Sequence, residues 1–434
     1  MNWRKPIIYF LLTLSGSRIP EYLREIERIN RLSEKEKKEY QKKKLEKILF
    51  YAWQNVPYYH SLLEKAKVIV NGQVNINNFS NIPILTKEII RKEEKNLYST
   101  EKRKGIYENT SGGSTGEPVR FLQDKYYDDW NKTTVIFFNE KLGKSLGQKE
   151  IKLWGSDRDI IKGNLVLKDR LINKLYNRKF FNSYNFSEND LLALVRLNNQ
   201  FKPIAYWSYM ESAYEFSKFI LKNKVGIIPP KFLISTIGPL YPETRETIKK
   251  AMGCRVYNQY GSREVGAIAC QFEESGPLKV FFWHNYLEIE GGQEEGELLV
   301  TTLNNYSMPL IRYQIGDAAT ASRNQAPLLQ FDNVIGRTLG YFKKKDGQLK
   351  HTHFLVQQLF FRDWIKQFQI IQKSYALITC RIALRTEKNL EEMKEIEEKF
   401  KMFMGPEFQV KWEFVEKIKP TKSGKFLYNI CELI

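Results

Sequence analysis

Hydrophobic and polar positions follow different periods in successive parts of this 434-residue chain. Near the start the period is helical. Leu45, Ile48, Leu49, Ala52 and Trp53 recur at intervals of three and four, and Val56-Pro57 should end that helix. The preceding stretch, Ser33–Lys47, carries mixed charges at the same spacing and reads as a solvated helix face. A further charged helix is expected over Lys87–Lys95, after Pro83. Between Val225 and Ile237 the run Leu233–Ile237 (LISTI) reads as a buried strand. Glu243–Met252 then reads as a helix and Arg255–Tyr257 as another strand, an alternation that argues for an α/β architecture. Leu287–Glu290 and Gly296–Thr302 read as antiparallel strands.

The character changes again after Gly336. Strands are expected around Ile370 and over Ala376–Ile378, Arg381–Leu384 and Phe408–Val415, with a helix over Leu390–Met404. This is the pattern of a small α+β domain, and the boundary is expected at Gly336-Arg337, with residues 1–336 forming a large domain and 337–434 a small one.

Composition narrows the class. Hydrophobic residues make up 42% and aromatics 14%, which excludes a mainly disordered chain. A net charge of +19 favours anionic partners: nucleotides, phospholipid surfaces, acidic glycans or nucleic acid. No recognised nucleic-acid module accompanies it. Cys254, Cys270, Cys380 and Cys431 are too few and scattered for a disulfide scaffold, which points to a reducing, cytoplasmic compartment. Ile7–Leu14, after Arg4 and Lys5, has the layout of a short signal peptide with Ser15-Gly16-Ser17 as a cleavage region. Nothing downstream looks secreted, so a buried helix or one lying on a membrane surface is the favoured reading.

Five segments could carry chemistry. Asn109–Val119 (NTSGGSTGEPV) mixes Gly112, Gly113 and Gly116 with the hydroxyls of Thr110, Ser111, Ser114 and Thr115. Backbone N–H groups in such a loop form a concave anion site. Tyr257–Gly266 (YNQYGSREVG) brings Tyr260, Gly261, Ser262 and Glu264 to the end of a strand and one turn. Pro309–Asp317 (PLIRYQIGD) presents Arg312, Tyr313 and Asp317 at a strand edge; Ile335-Gly336-Arg337 is the fourth segment, and Lys419–Phe426 (KPTKSGKF), with Lys425, the fifth. Taken singly, each has a bland reading as loop, ion pair or surface charge. His351-Thr352-His353 alone is poor evidence for a metal, and Cys254, Cys270 and His284 read as buried side chains unless the fold brings them together around zinc.

In this order and spacing the five segments resemble the adenylate-forming superfamily of acyl-CoA synthetases and adenylation domains. They are most similar to its phenylacetate–CoA ligase-like group, including the CapK-type branch linked to capsular polysaccharide biosynthesis. The resemblance spans about Lys44 to Tyr428 and includes LEKILFYAWQNVPYYHSLL and TTLNNYSMPLIRYQIGD. It implies an α/β fold: a large N-terminal domain of layered β-sheets and helices, with a small mobile C-terminal α+β domain. It also implies ATP and Mg²⁺ as cofactors, a carboxylate substrate, and CoA or an amine as acyl acceptor. On that reading Thr110–Gly116 holds the phosphates, Tyr260 with Gly261 and Ser262 flanks the adenine, and Glu264 binds Mg²⁺. Asp317 takes the ribose hydroxyls with Arg337 nearby, and Lys425 bridges the substrate carboxylate and the α-phosphate. Three positions depart from the pattern: Glu117 before Pro118 where a lysine is common, Ile237-Gly238 before Pro239, and Thr338-Leu339-Gly340 after Arg337. The basic stretch Lys162–Lys179 could meet an acidic glycan, a membrane surface or CoA phosphates. The rival reading is a catalytically degenerate basic protein binding anionic lipid or nucleic acid on the same fold.

Overall fold

A computed structural model describes residues 2–433 apart from 112–118, 155–166, 184–186, 291–293, 322–327, 338–340, 346–348, 361 and 419–427. For 335–337 and a few other helix or strand positions it describes the backbone alone.

The charged stretch and the apolar periodicity after it form one helix, Glu34–Asn55. Ser33 caps it in a capping box with Glu36, its hydroxyl accepting from the Glu36 N–H while the Glu36 carboxylate accepts from the Ser33 N–H. Gln41, Leu45, Ile48, Leu49 and Ala52 are its buried face. The helix ends at Asn55 with extended Val56 as its C-cap, as Val56-Pro57 predicts, and Pro57 opens the next helix, Pro57–Lys65, where its missing N–H costs nothing. The helix at Lys87 is shorter than expected, running to Glu93 before a 3₁₀ turn over Glu94–Leu97.

The principal sheet has eight strands in the spatial order 330–331, 278–280, 266–270, 255–262, 232–236, 205–209, 150–154, 178–182. The last five pair in parallel, and the others pair antiparallel. Phe232–Thr236, in the middle, is buried at every residue, as a parallel strand covered on both faces must be. One face packs on Trp130, Phe137 and Phe138 from the helix Lys125–Lys141, and the other on Phe216 and Ile220 from the helix Met210–Asn223. A four-stranded sheet follows in the order 285–289, 295–302, 313–320, 333–337. The strand Tyr313–Thr320 therefore has neighbours on both sides and is not at an edge.

The chain divides into two compact units. The larger holds the described residues up to Val334 except Gly316–Ala318; those three and the described residues from Ile335 onward form the smaller. In the smaller unit a sheet ordered 409–415, 377–384, 365–374, 429–431 is covered by the helix Leu390–Met404. Ile396, Phe400 and Met404 of that helix pack with Ile370, Ile378, Cys380 and Ile382 of the sheet. The two short strands expected at 376–378 and 381–384 are one continuous strand, Leu377–Leu384.

Candidate active site

The parallel strands run, in chain order, second–first–third–fourth–fifth across the sheet, so the winding direction reverses between Glu150–Trp154 and Ala205–Tyr209. Ligands of doubly wound sheets bind at the carboxyl ends of strands beside such a reversal. Here those two strands end in Trp154 and Tyr209, whose rings lie 4.6 Å apart at a 45° tilt. The next strand ends at Thr236, whose hydroxyl donates to Gln259 Oε1 at 3.1 Å. Ile237 follows with φ 54° and Gly238 with φ 129°. A β-branched residue in the left-handed region is strained, and this one is exposed at the sheet's carboxyl end.

Tyr260, Gly261 and Ser262 close the strand Arg255–Ser262, and Arg263–Val265 form the turn into Gly266–Cys270. The turn admits no side chain at two places. A Cβ on Gly261 would lie 2.5 Å from the Gly266 carbonyl oxygen. Gly266 has φ 71°, and a Cβ there would meet Asn131 Oδ1 at 2.5 Å and the Tyr127 hydroxyl at 2.7 Å. Asn131 accepts from the Ala267 N–H at 2.9 Å, fixing the turn against the helix Lys125–Lys141. Tyr260 packs edge-on against Phe331 with centroids 6.1 Å apart.

The described residues on either side of the glycine-rich segment pair as a hairpin's two strands. Tyr107–Thr110 pairs antiparallel with Arg120–Gln123. Its neck is latched by Ser111, whose N–H donates to the Val119 carbonyl at 2.8 Å and whose hydroxyl accepts from the Val119 N–H at 2.9 Å. Gln123, at the hairpin base, donates through Nε2 to the Arg263 carbonyl at 2.9 Å and the Glu264 carbonyl at 3.3 Å. One amide thus ties the hairpin to the acidic turn. Gly112, Gly113, Ser114, Thr115, Gly116 and Glu117 lie outside the described residues.

Glu264 is buried, yet among the described residues its carboxylate makes no ion pair or hydrogen bond. Its oxygens are not among the fully buried polar atoms that lack a partner, so the carboxylate is open at the turn, where an oxygen donor suits a hard divalent cation. One open carboxylate is a donor that Mg²⁺ accepts. Among the described residues no group of three His, Cys, Asp or Glu side chains is placed to hold a metal by itself. Cys254 and Cys270 pack on opposite faces of the sheet, Cys254 with Leu233 and Ile248, Cys270 with Phe281 and Trp283, so they do not converge with His284 on zinc. His284 is buried beside Asn304, whose Nδ2 lies 3.1 Å from its Nδ1, and burial pushes the imidazole down to about 3.

Asp317 sits half-buried in the strand Tyr313–Thr320, and Gly336 and Arg337 end the strand Asn333–Arg337. Lys425 and the rest of 419–427 lie outside the described residues, between the strands Gln409–Val415 and Asn429–Cys431. Arg312 plays a different part from the one its motif suggests. With φ 49°, it turns its guanidinium to Glu288 at 3.2 Å and to the carbonyls of Ser80 and Ile82 at 2.6 and 2.5 Å. It holds the sheet to the preceding helical segment. Ser235 is fully buried within the strand Phe232–Thr236, its hydroxyl without a hydrogen-bond partner among the described residues. The chain offered no reading of Gln123, Asn131 or Tyr127; only the three-dimensional pairing reveals them.

An adenylate-forming ligase fold is what this arrangement of sheets and units amounts to, and solved structures match it. A 2-hydroxyisobutyryl-CoA ligase in the postadenylation state, in complex with R3-HIB-AMP, superposes with a TM-score of 0.68 at 15% identity, covering 92% of this chain and 90% of that one. An O-succinylbenzoate coenzyme A synthetase from Bacillus subtilis, in complex with ATP and magnesium ion, superposes with a TM-score of 0.53 at 13% identity, covering 74% of this chain and 68% of that one. Residues 344–432 match the CapK C-terminal domain family. Protein CapK of Staphylococcus aureus is 24% identical over 404 residues, 90% of this chain and 88% of that protein. Both levels of the resemblance read from the motifs, the superfamily and its CapK-type branch, agree with these matches.

Proposed function

We propose that the chain is an ATP- and Mg²⁺-dependent ligase of the phenylacetate–CoA ligase-like type, working in the cytoplasm. It adenylates a carboxylic acid, releases pyrophosphate, and passes the acyl group to CoA or to an amine in capsular or extracellular polysaccharide assembly. The observation that carries this reading is the Gln123 tie between the glycine-rich hairpin and the turn bearing the unpartnered Glu264. The strands that flank the glycine-rich segment and the turn that bears Glu264 are thereby tied together, which is what a shared polyphosphate would require. Solved neighbours holding an acyl-adenylate, ATP with magnesium, or CoA support the choice of cofactors and of CoA as acceptor.

In this mechanism the hairpin loop holds the β- and γ-phosphates through backbone N–H groups, Ser114 and Thr115. Tyr260 lies along the adenine and Asp317 accepts from the ribose hydroxyls, with Arg337 beside them. Glu264 would hold Mg²⁺, which when bound would supply charge neutralisation to the polyphosphate. Trp154 and Tyr209 wall the site for the acid's carbon skeleton. As the carboxylate oxygen attacks the α-phosphorus, the P–O bond to pyrophosphate breaks and charge concentrates between two anions. Lys425 meets that charge, stabilising the transition state more than bound ATP. Residues 1–336 form the ATP- and carboxylate-binding domain, and residues 337–434 carry Lys425 and exclude water from the adenylate.

Titration calorimetry with ATP, with and without Mg²⁺, tests the reading. ATP binding that Mg²⁺ strengthens and Glu264→Gln uncouples from Mg²⁺ is expected. A folded sample that binds no ATP in either condition overturns it.

A further inference from the structure

The helix Arg4–Leu14 is docked on one side only. Ile8 is buried, Lys5 pairs with Glu140 at 2.6 Å, and Asn2 Nδ2 donates to the Leu146 carbonyl at 2.7 Å. Gly147 lies so close beneath that a Cβ on it would come within 2.7 Å of Arg4 Cβ. This helix is part of the folded body. Its other side carries Trp3, Ile7, Phe10, Leu11 and Leu14, exposed by 55%, 41%, 63%, 45% and 68%. At 3.6 residues per turn these five positions fall within about 100° of arc. A helix face meant for water carries charges there, not five large apolar side chains.

A second patch lies near the docked side of this helix. Tyr9 lies near enough to Tyr176 for that phenol to help raise its pKa. Tyr176 follows the helix Leu167–Leu175 and precedes the strand Arg178–Asn182. Around it Leu171, Ile172 and Phe180 are exposed, interleaved with exposed Arg170, Lys174 and Lys179. Residues 2–17 contain no aspartate or glutamate, and in 167–182 Asp169 stands against Lys168, Arg170, Lys174, Arg178 and Lys179. Apolar side chains and a net positive charge occur together in both segments.

We propose that this face docks on an anionic lipid bilayer. The exposed edge of Arg4–Leu14 lies in the headgroup region, with Trp3 at the interface, and the basic side chains meet lipid phosphates. Among the described residues no helix is long and apolar enough to cross a membrane, and eleven residues span about 16 Å against a hydrocarbon core of about 30 Å. The helix lies on the surface. A second copy is the poorer occupant, because pairing two such faces would bring two net-basic segments together. The inference is independent of the adenylation chemistry.

Co-sedimentation of the full chain with vesicles tests it. Vesicles of phosphatidylcholine with about one-third phosphatidylglycerol should bind the protein at least about tenfold more tightly than phosphatidylcholine alone. Phe10→Glu/Leu14→Glu should weaken that binding at least about tenfold, with circular dichroism and melting unchanged. Lys174→Glu/Lys179→Glu should remove most of the preference for anionic lipid, an arm that does not depend on the first variant folding. Met402→Glu, at an exposed apolar position in the smaller unit, should bind like wild type. No binding to anionic vesicles, or undiminished binding by Phe10→Glu/Leu14→Glu, overturns the proposal. A wild-type dimer that this variant dissociates overturns it in favour of a second copy.

Discussion

Glu264 and Lys425 are single side chains whose proposed roles separate cleanly in kinetics. Lys425→Ala should slow adenylation by roughly 10²- to 10³-fold with little change in ATP affinity, the size expected on losing one oriented electrostatic stabiliser. Transfer from a preformed acyl-adenylate should barely change. Lys422→Ala, three residues earlier, is the control and should be nearly silent. Stopped-flow measurement of pyrophosphate release checks both. Lys44 offers a prediction about pH. Burial pushes its ammonium from 10.5 down to about 7, although Asn304 Oδ1 lies 2.5 Å away and the Trp130 ring 4.0 Å away. The unfolded chain then binds the extra proton between those values, so stability rises with pH across that window. Denaturant melts should show wild type gaining on Lys44→Met from pH 7 toward pH 10. A flat difference means the ammonium is not shifted. At this scale the sequence was half legible. Glycines, hydroxyls and acids announce themselves by type and spacing. Gln123 and Asn131 do not, because their work is done on carbonyls and amides that approach only after the hairpin and helix have docked. Arg312 was visible for its charge, but the two carbonyls it ties lie about 230 residues away in sequence.

The strand–turn–strand from Arg255 to Cys270 owes its shape to two glycines and to what surrounds them. Gly266→Ala combines a positive φ with contacts under 3 Å, and should cost about 1–3 kcal/mol in chemical denaturation. Ile237→Gly should do the reverse. Relief of the left-handed strain is expected to add about 1 kcal/mol of stability, and because Ile237 borders the site, ATP affinity should fall. Melting and calorimetry on that one variant read both effects; stability gained with no loss of affinity would separate the strain from the site. Elements with a single buried face were readable: Leu390–Met404 is a helix over the span its periodicity marks. Others were not. The helix Lys125–Lys141 buries Asp129, Thr133, Thr134 and Asn139 beside its aromatics, so polar positions that look solvent-facing in sequence are interior ones that bond to its own carbonyls and to its neighbours. Strand order was equally hidden, since nothing local in Arg178–Asn182 says that it lies beyond Glu150–Trp154 at the edge of the sheet.

For the molecule as a whole, the shift from α/β alternation to a short α+β pattern marks a second unit, and the net charge of +19 marks an appetite for anions. Neither names a reaction; the ordered motifs do, and the fold they imply is the one observed. The central claim is that Mg²⁺–ATP and a carboxylic acid react here to give an acyl-adenylate. ATP–pyrophosphate exchange over a panel of carboxylic acids measures that step alone, without knowledge of the acceptor. The account predicts exchange that requires one class of acid and Mg²⁺ and falls at least about a hundredfold in Lys425→Ala. Exchange as fast in Lys425→Ala as in wild type, or none with any acid from a folded protein that binds ATP, would contradict it.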